Sequence, residues 1–134
     1  MSCIFCQIVA GEIPADKIYE DEKCLAFLDI HPVNPGHALL IPKAHYQMMV
    51  DTPDDLIAYL FVKAKKLMPK IKKATGADYV SLSVVGVDVP HFHIHLIPRR
   101  FDDGLAGFWP TKTYAPGEMT AIAEKIRQEI KNNQ

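Results

Sequence analysis

Cysteine is scarce in this sequence, with three residues in 134. An odd number of cysteines without an export signal argues against a disulfide framework. The chain also has no excess of basic or acidic residues. It contains 15 Lys and Arg residues and 16 Asp and Glu residues, which gives a formal net charge of −1. The chain therefore lacks the basic balance that is typical of proteins that bind nucleic acid.

Long hydrophobic runs are missing as well. No apolar segment reaches the roughly 20 residues that cross a bilayer, and the first residues lack the basic-then-apolar order of a signal peptide. We therefore expect a cytoplasmic protein whose partners include neither membrane nor nucleic acid. With 134 residues, 49% of them hydrophobic, the chain suits a single domain over residues 1–134.

Alternating and turn-forming residues predict five strands. Residues 17–30 contain two short runs around an acidic turn, which is typical of a hairpin, and residues 34–43 form a third strand after a Pro-Gly turn. Residues 78–86 alternate with period two, and residues 91–97 follow them as a last strand.

Helical spacing of apolar residues predicts two helices. The first begins with a capping hydroxyl at Thr52 and extends to Gly76, with a kink or an early end at Pro69. The second lies in the C-terminal extension, residues 101–134. This order of elements predicts an α+β fold with a mainly antiparallel sheet and helices on one of its faces.

Histidines occupy alternate positions in the segment PHFHIHLIPRR, residues 90–100. In a strand, His91, His93 and His95 share one face, and the apolar residues between them share the face under the helices. An open face of imidazoles can bind a metal, bind anions when protonated, or perform acid–base or nucleophilic chemistry near neutral pH.

Cys3 and Cys6 have the C-x-x-C spacing that suits a zinc ion or a redox pair. A redox pair of the thioredoxin type needs a preceding strand, for which the chain has no room. A zinc site needs two further ligands, and the six histidines can supply them. Cys24 lies in a strand-like run and is expected to be a buried small apolar residue.

Two segments together resemble a known family. CIFCQIVAGEIPADKIYEDEKCLAFLDIHPVNPGHALLIPKAH, followed by PHFHIHLIPR, is similar to the histidine triad (HIT) family of nucleotide hydrolases and transferases, and most similar to its small bacterial and housekeeping branch. The resemblance covers residues 1 to about 100. It implies a HIT-like domain that forms a homodimer by pairing strands. It also implies hydrolysis at the α-phosphate of an AMP-type purine nucleotide, either a nucleoside phosphoramidate or a dinucleotide polyphosphate.

The resemblance assigns roles to the three histidines. His93, the middle one, would be the nucleophile that forms a nucleotidyl-imidazole intermediate. His95 would hydrogen-bond the phosphate, and His91 would belong to the supporting network. This chemistry is reasonable because neutral imidazole is nucleophilic at cytoplasmic pH and needs no separate base.

The resemblance also implies a nucleoside pocket formed by Phe27, Leu28, Asp29 and Ile30. Asp29 would accept hydrogen bonds from the ribose hydroxyls, while Phe27 and Ile30 would enclose the base. Without the resemblance, Asp29 is equally explained as a turn residue before Pro32.

A zinc-binding subset of the family implies the ligand set Cys3, Cys6, His45 and His91. Four protein ligands leave no open position, so such a zinc is structural rather than catalytic. No organic cofactor is expected.

One departure from the family concerns the residues before the histidines. Val87 replaces the usual Gln and the usual Asn is missing, although Ser81 or Ser83 could substitute for it. The missing Gln leaves open the alternative of a non-catalytic nucleotide-binding regulator. The spacing of the histidines separately leaves open a hydrolase in which all three triad histidines hold one catalytic metal.

Overall fold

A computed structural model describes residues 3–105 and 110–132 of the chain. The chain divides into two compact units, Met1–Asp103 and Gly104–Gln134. Within the described ranges, no helix combines the length and the apolar character that crossing a membrane requires.

The first unit contains a five-stranded sheet in the order β1-β2-β3-β5-β4, in which every neighbouring pair is antiparallel. The strands are β1 (Lys17–Glu20), β2 (Cys24–Leu28), β3 (Ala38–Pro42), β4 (Tyr79–Ser83) and β5 (Ile94–Arg99). The predicted α+β class and the five strands are confirmed.

Each face of the sheet carries its own apolar core, because side chains alternate along a strand. Helix α2 (Asp54–Thr75) covers one face and packs against the apolar residues Phe92, Ile94 and Leu96 of the histidine segment, as predicted. On the opposite face lies α1 (Ile4–Val9), a six-residue helix that was not predicted, together with Phe27.

Strand β5 is shorter than predicted and begins at Ile94. The residues before it leave the ladder, because the Phe92 backbone N–H donates to the Tyr46 carbonyl at 2.6 Å. The alternation of side chains nevertheless continues through this segment. The expectation of an open histidine face is wrong for His91 and His93, which are buried because Phe5 of α1 packs against both rings.

Helix α2 differs from its prediction at two points. Its N-cap is Pro53, and Thr52 instead donates its hydroxyl to the Met48 carbonyl at 2.9 Å, so Thr52 does not cap the helix. Pro69 does not end the helix, which continues to Thr75 and stops at Gly76 with a positive φ of 69°. Because Pro69 lies on the exposed side of the helix, water can hydrate the carbonyl that loses its hydrogen bond.

The second unit contains α3 (Glu118–Asn132), which begins just after Pro116–Gly117 as predicted. Its apolar residues recur at helical spacing and are all exposed: Met119, Ile122, Ile126 and Ile130.

Candidate active site and metal centre

The four residues of the predicted zinc set lie together. One ligand atom from each of Cys3, Cys6, His45 and His91 falls within 4.8 Å of the other three. The His45 and His91 Nδ1 atoms are 3.2 Å apart, and Cys6 Sγ lies 3.3 Å from the first and 3.5 Å from the second. Tetrahedral zinc with ordinary bond lengths would separate two nitrogens by about 3.4 Å and a sulfur from a nitrogen by about 3.6 Å. The set therefore fits one zinc ion.

The His91 ring is held in the tautomer that a metal requires. Its Nε2–H donates to the Pro42 carbonyl at 2.8 Å, so the Nδ1 lone pair is directed at the cysteines. Burial lowers the pKa of His91, which favours the neutral ring that can act as a ligand. Cys3 Sγ lies 3.4 Å from this Nδ1 atom.

His93 is oriented by the backbone of the same segment. Its Nδ1–H donates to the His91 carbonyl at 2.8 Å, which leaves the lone pair on Nε2 for attack. The Phe5 ring packs edge-on against the His93 ring at a centroid distance of 5.2 Å. The His93 ring is therefore fixed by the backbone of a residue, His91, that belongs to the possible zinc-binding set.

His95 is held by a residue that received no role in the sequence analysis, His37. The Val33 backbone N–H donates to His37 Nδ1 at 3.0 Å, so His37 carries its proton on Nε2 and donates it to His95 Nδ1, also at 3.0 Å. His95 then carries its own proton on Nε2. That atom is buried and has no hydrogen-bond partner among the described residues. It is a buried donor next to the His93 ring, whose centroid lies 5.0 Å from that of His95.

Burial lowers the pKa of both His37 and His95. Asp29 opposes this shift in His37, with Oδ2 at 3.7 Å from His37 Nε2, but burial is the larger effect. Burial therefore favours the neutral form of both rings. The Pro35-Gly36-His37 run that carries part of the resemblance was the sequence signal for His37.

Two of the four predicted nucleoside residues, Phe27 and Asp29, lie beside the histidines or the Phe5 ring that packs on them. Phe27 is buried with its ring centroid 5.5 Å from that of Phe5, and Ile30 is 86% exposed. Asp29 Oδ1 accepts the His31 backbone N–H at 2.9 Å, so Asp29 forms a turn while its second oxygen faces His37. Leu28 lies on the other face, in the core beneath α2.

Strand β4 and the loop after it add three polar groups. Ser83 pairs with His95 across β4 and β5, and Ser81 pairs with Ile97, so both serines share the histidine face. A carboxylate oxygen of Asp88 and one ring nitrogen each of His93 and His95 lie within 4.8 Å of one another. Sequence analysis missed Asp88, because its position depends on the path of an irregular loop.

A single metal on all three triad histidines is not supported. Among the described ranges, no group of potential ligands combines His91, His93 and His95. His91 directs its lone pair at the cysteines, while His93 Nδ1–H points to a carbonyl. The two alternate positions therefore present their ring nitrogens to different surroundings.

Comparison with known proteins agrees with this geometry. The HIT domain model matches residues 10–102. The adenosine 5'-monophosphoramidase hnt1 of Schizosaccharomyces pombe is 39% identical over 137 residues, which cover 98% of this chain and 100% of that protein. The adenylylsulfatase HINT3 of Arabidopsis thaliana is 43% identical over 108 residues, covering 77% of this chain and 55% of that protein.

A solved structure provides a further comparison. The zinc-bound histidine triad family protein of Mycobacterium smegmatis has a TM-score of 0.75 and 32% identity, and the alignment covers 96% of this chain and 98% of that one. The family match spans most of the chain and contains the triad, the His37 segment and the strands that position them. The chain belongs to the HIT domain family.

Proposed function

We propose that this HIT-family enzyme hydrolyses nucleoside phosphoramidates of the AMP type through a nucleotidyl-histidine intermediate on His93. The observation that carries the proposal is the pair of fixed tautomers. His93 presents a lone pair at Nε2, and the neighbouring ring of His95 presents an N–H that has no partner within residues 3–105 and 110–132. A nucleophile next to a buried donor is what phosphoryl transfer requires.

The reaction proceeds in two displacements. His93 Nε2 donates its lone pair to the α-phosphorus, the bond from phosphorus to the leaving group breaks, and that group departs with the bonding pair. A water oxygen then attacks the same phosphorus, gives up a proton and releases AMP, and His93 recovers its lone pair. The His95 Nε2–H stabilises the charge on a phosphoryl oxygen in both steps, a contact worth about 3 kcal/mol.

The nucleoside is held away from the reacting atoms. Phe27 and Ile30 supply apolar walls for a purine base, and the Asp29 carboxylate is within reach of ribose hydroxyls. Several relatives named adenosine 5'-monophosphoramidase support an adenosine substrate. Dinucleotide polyphosphates remain a second substrate class, because they offer the same α-phosphorus.

We propose that zinc at Cys3, Cys6, His45 and His91 is structural. When bound, it ties the N-terminal segment to the histidine segment and takes no part in the chemistry, since four protein ligands fill its coordination. The reduced thiols that it needs are consistent with a cytoplasmic location.

We also propose a homodimer formed through the edge of β4. The other edge strand, β1, carries charged residues that protect it from pairing, such as Lys17 and Glu20. The edge at β4 instead exposes apolar residues, including Leu82 and Val84. Sedimentation at micromolar concentration should report a dimer, and Leu82→Lys should shift it toward monomer.

The test of function is AMP release from adenosine 5'-monophosphoramidate. We expect the zinc-loaded protein to release AMP, and His93→Ala to release none while still binding AMP. A chelator should reduce AMP release only as fast as it removes the structural zinc. Wild-type protein that binds AMP and releases none from the phosphoramidate would instead indicate the non-catalytic regulator.

A further inference from the structure

Asp88 introduces a negative charge beside the two histidines that act on phosphate. Its carboxylate lies within 4.8 Å of a ring nitrogen of His93 and of His95, and its side chain is exposed. Asp88 forms no hydrogen bond or ion pair with any residue that the structure describes. The fold thus places a charged group here without using it for packing.

A carboxylate at this point cannot assist the phosphoryl group itself. Ionised Asp offers only acceptors, and the non-bridging phosphoryl oxygens are also acceptors that carry negative charge. The two groups repel each other. Asp88 can therefore be accommodated only if it faces a part of the substrate that has N–H donors or a positive charge.

The leaving group is the part of the substrate that meets this requirement. At the start of attack His93 Nε2 and the phosphorus are about 3–3.5 Å apart, so the leaving atom, one bond further, is roughly 5 Å from Nε2. The Asp88 carboxylate lies within 4.8 Å of a ring nitrogen of His93, which is in the same range. A leaving group that departs on the Asp88 side of His93 therefore comes within reach of this carboxylate.

We propose that Asp88 is a specificity-determining residue that selects amine leaving groups and rejects anionic ones. The inference rests on the proposed function and names its substrate class. The bridging nitrogen takes up a proton from water, the P–N bond then breaks with its electron pair going to nitrogen, and a neutral amine is released; the carboxylate stabilises the positive charge that precedes cleavage. A leaving sulfate or phosphate departs with its negative charge next to Asp88, which raises the barrier.

The preference for one leaving group matters because relatives of this chain are named for both kinds of substrate, one with an amine leaving group and one with sulfate. One is named an adenosine 5'-monophosphoramidase and another an adenylylsulfatase. The nucleoside and α-phosphate are common to the two substrates, so Phe27, Asp29 and His95 cannot distinguish them. Only a residue near the leaving group can, and Asp88 has the charge to do so.

The experiment compares kcat/KM for adenosine 5'-monophosphoramidate and for adenylyl sulfate. It uses the zinc-loaded wild type, Asp88→Asn, Asp88→Ser, and Asp51→Asn as a control that removes the same charge at an exposed position in the 3-10 helix. We expect the wild type to prefer the phosphoramidate. Both Asp88 variants should reduce this preference at least about 10-fold, equivalent to about 1.4 kcal/mol, and Asp51→Asn should leave it unchanged.

The experiment distinguishes failure of the proposed role of Asp88 from failure of the proposed function. If the wild type cleaves the phosphoramidate through His93 but its preference is unchanged in both Asp88 variants, the role of Asp88 is refuted and the proposed function stands. If the wild type cleaves neither substrate, both are refuted. Binding in a His93→Ala background provides a readout without turnover. In that background, adding Asp88→Asn should increase the affinity for adenylyl sulfate more than the affinity for the phosphoramidate. Equal effects on the two affinities would contradict the proposal.

Discussion

His37 fixes the proton of His95: the Nε2 atom of His37 lies 3.0 Å from the Nδ1 atom of His95, and only one assignment of protons satisfies both rings. The Val33 backbone N–H cannot accept, so His37 must donate onward through Nε2. The consequence is a buried N–H on His95 that has no partner among the described residues and that, in the proposed reaction, donates to the phosphate. A residue outside the triad motif thus determines what the third histidine can do.

We predict that His37→Ala lowers kcat about 10²-fold with little change in nucleotide affinity. Without its donor, His95 can carry its proton on either nitrogen, and the fraction with Nε2–H falls. The control is His31→Ala, because the His31 side chain is exposed and only its backbone N–H contacts Asp29. Steady-state kinetics measure the change in kcat, and AMP binding measures the change in nucleotide affinity. A His37→Ala enzyme with wild-type kcat would show that His95 needs no such partner.

Zinc content should follow the four proposed ligands. We expect about one zinc per chain, lost in Cys3→Ser and His45→Ala and retained in Cys24→Ala, since Cys24 is buried in the core beneath α2. Loss of the metal should lower Tm, because binding free energy contributes to folding. Elemental analysis with thermal unfolding checks both points, and zinc-free wild type from zinc-replete cells would contradict them.

The affinity for zinc should decrease as the pH falls. Burial raises the pKa of the Cys6 thiol, and its neighbour Cys3 raises it further, so in the absence of a cation the proton is held tightly. Zinc must displace that proton, and acid therefore competes with the metal. Competition with a chelator of known affinity at two pH values measures the effect.

Acid should also destabilise the fold through His37 and His95. Burial lowers the pKa of both rings in the folded protein below the ordinary value of 6.5. As the pH falls below about 6.5, the unfolded chain gains protons that the folded protein does not, so the free energy of unfolding decreases. Above that pH the two states hold the same protons on these rings and the effect vanishes.

The test compares urea unfolding of wild type and His37→Gln between pH 7.5 and pH 5.5. The variant lacks one of the two buried rings, so its stability should depend less steeply on pH. Zinc contributes equally to both proteins and cancels in the comparison. Identical slopes would mean that His37 titrates normally in the folded state.

Local patterns in the sequence predicted the strands, α2 and α3, because side-chain periodicity is set by the residues of each element alone. The apolar side of the histidine segment was predicted for the same reason. Thr52 was misassigned as a cap, since its hydroxyl can bond the Met48 carbonyl equally well. The choice between two nearby partners is decided by geometry that no pattern encodes.

Contacts between distant segments could not be predicted from periodicity. Cys3 and His91 are 88 residues apart in the chain, and the resemblance alone identified them as a pair. Helix α1 has only six residues, too short for a periodic signal. Its Phe5 buries His91 and His93, which periodicity had placed on an open face.

The central claim is that His93 Nε2 becomes covalently bound to phosphorus during turnover. The most direct measurement is rapid quenching of the enzyme with adenosine 5'-monophosphoramidate labelled at phosphorus, under conditions that preserve phosphorus–nitrogen bonds, followed by mass spectrometry of the peptides. We predict label on His93 in wild type and none in His93→Ala. His37→Ala should carry more label than wild type if hydrolysis of the intermediate slows more than its formation. Rapid AMP release with an unlabelled His93 peptide, or a fully active His93→Ala enzyme, would contradict it.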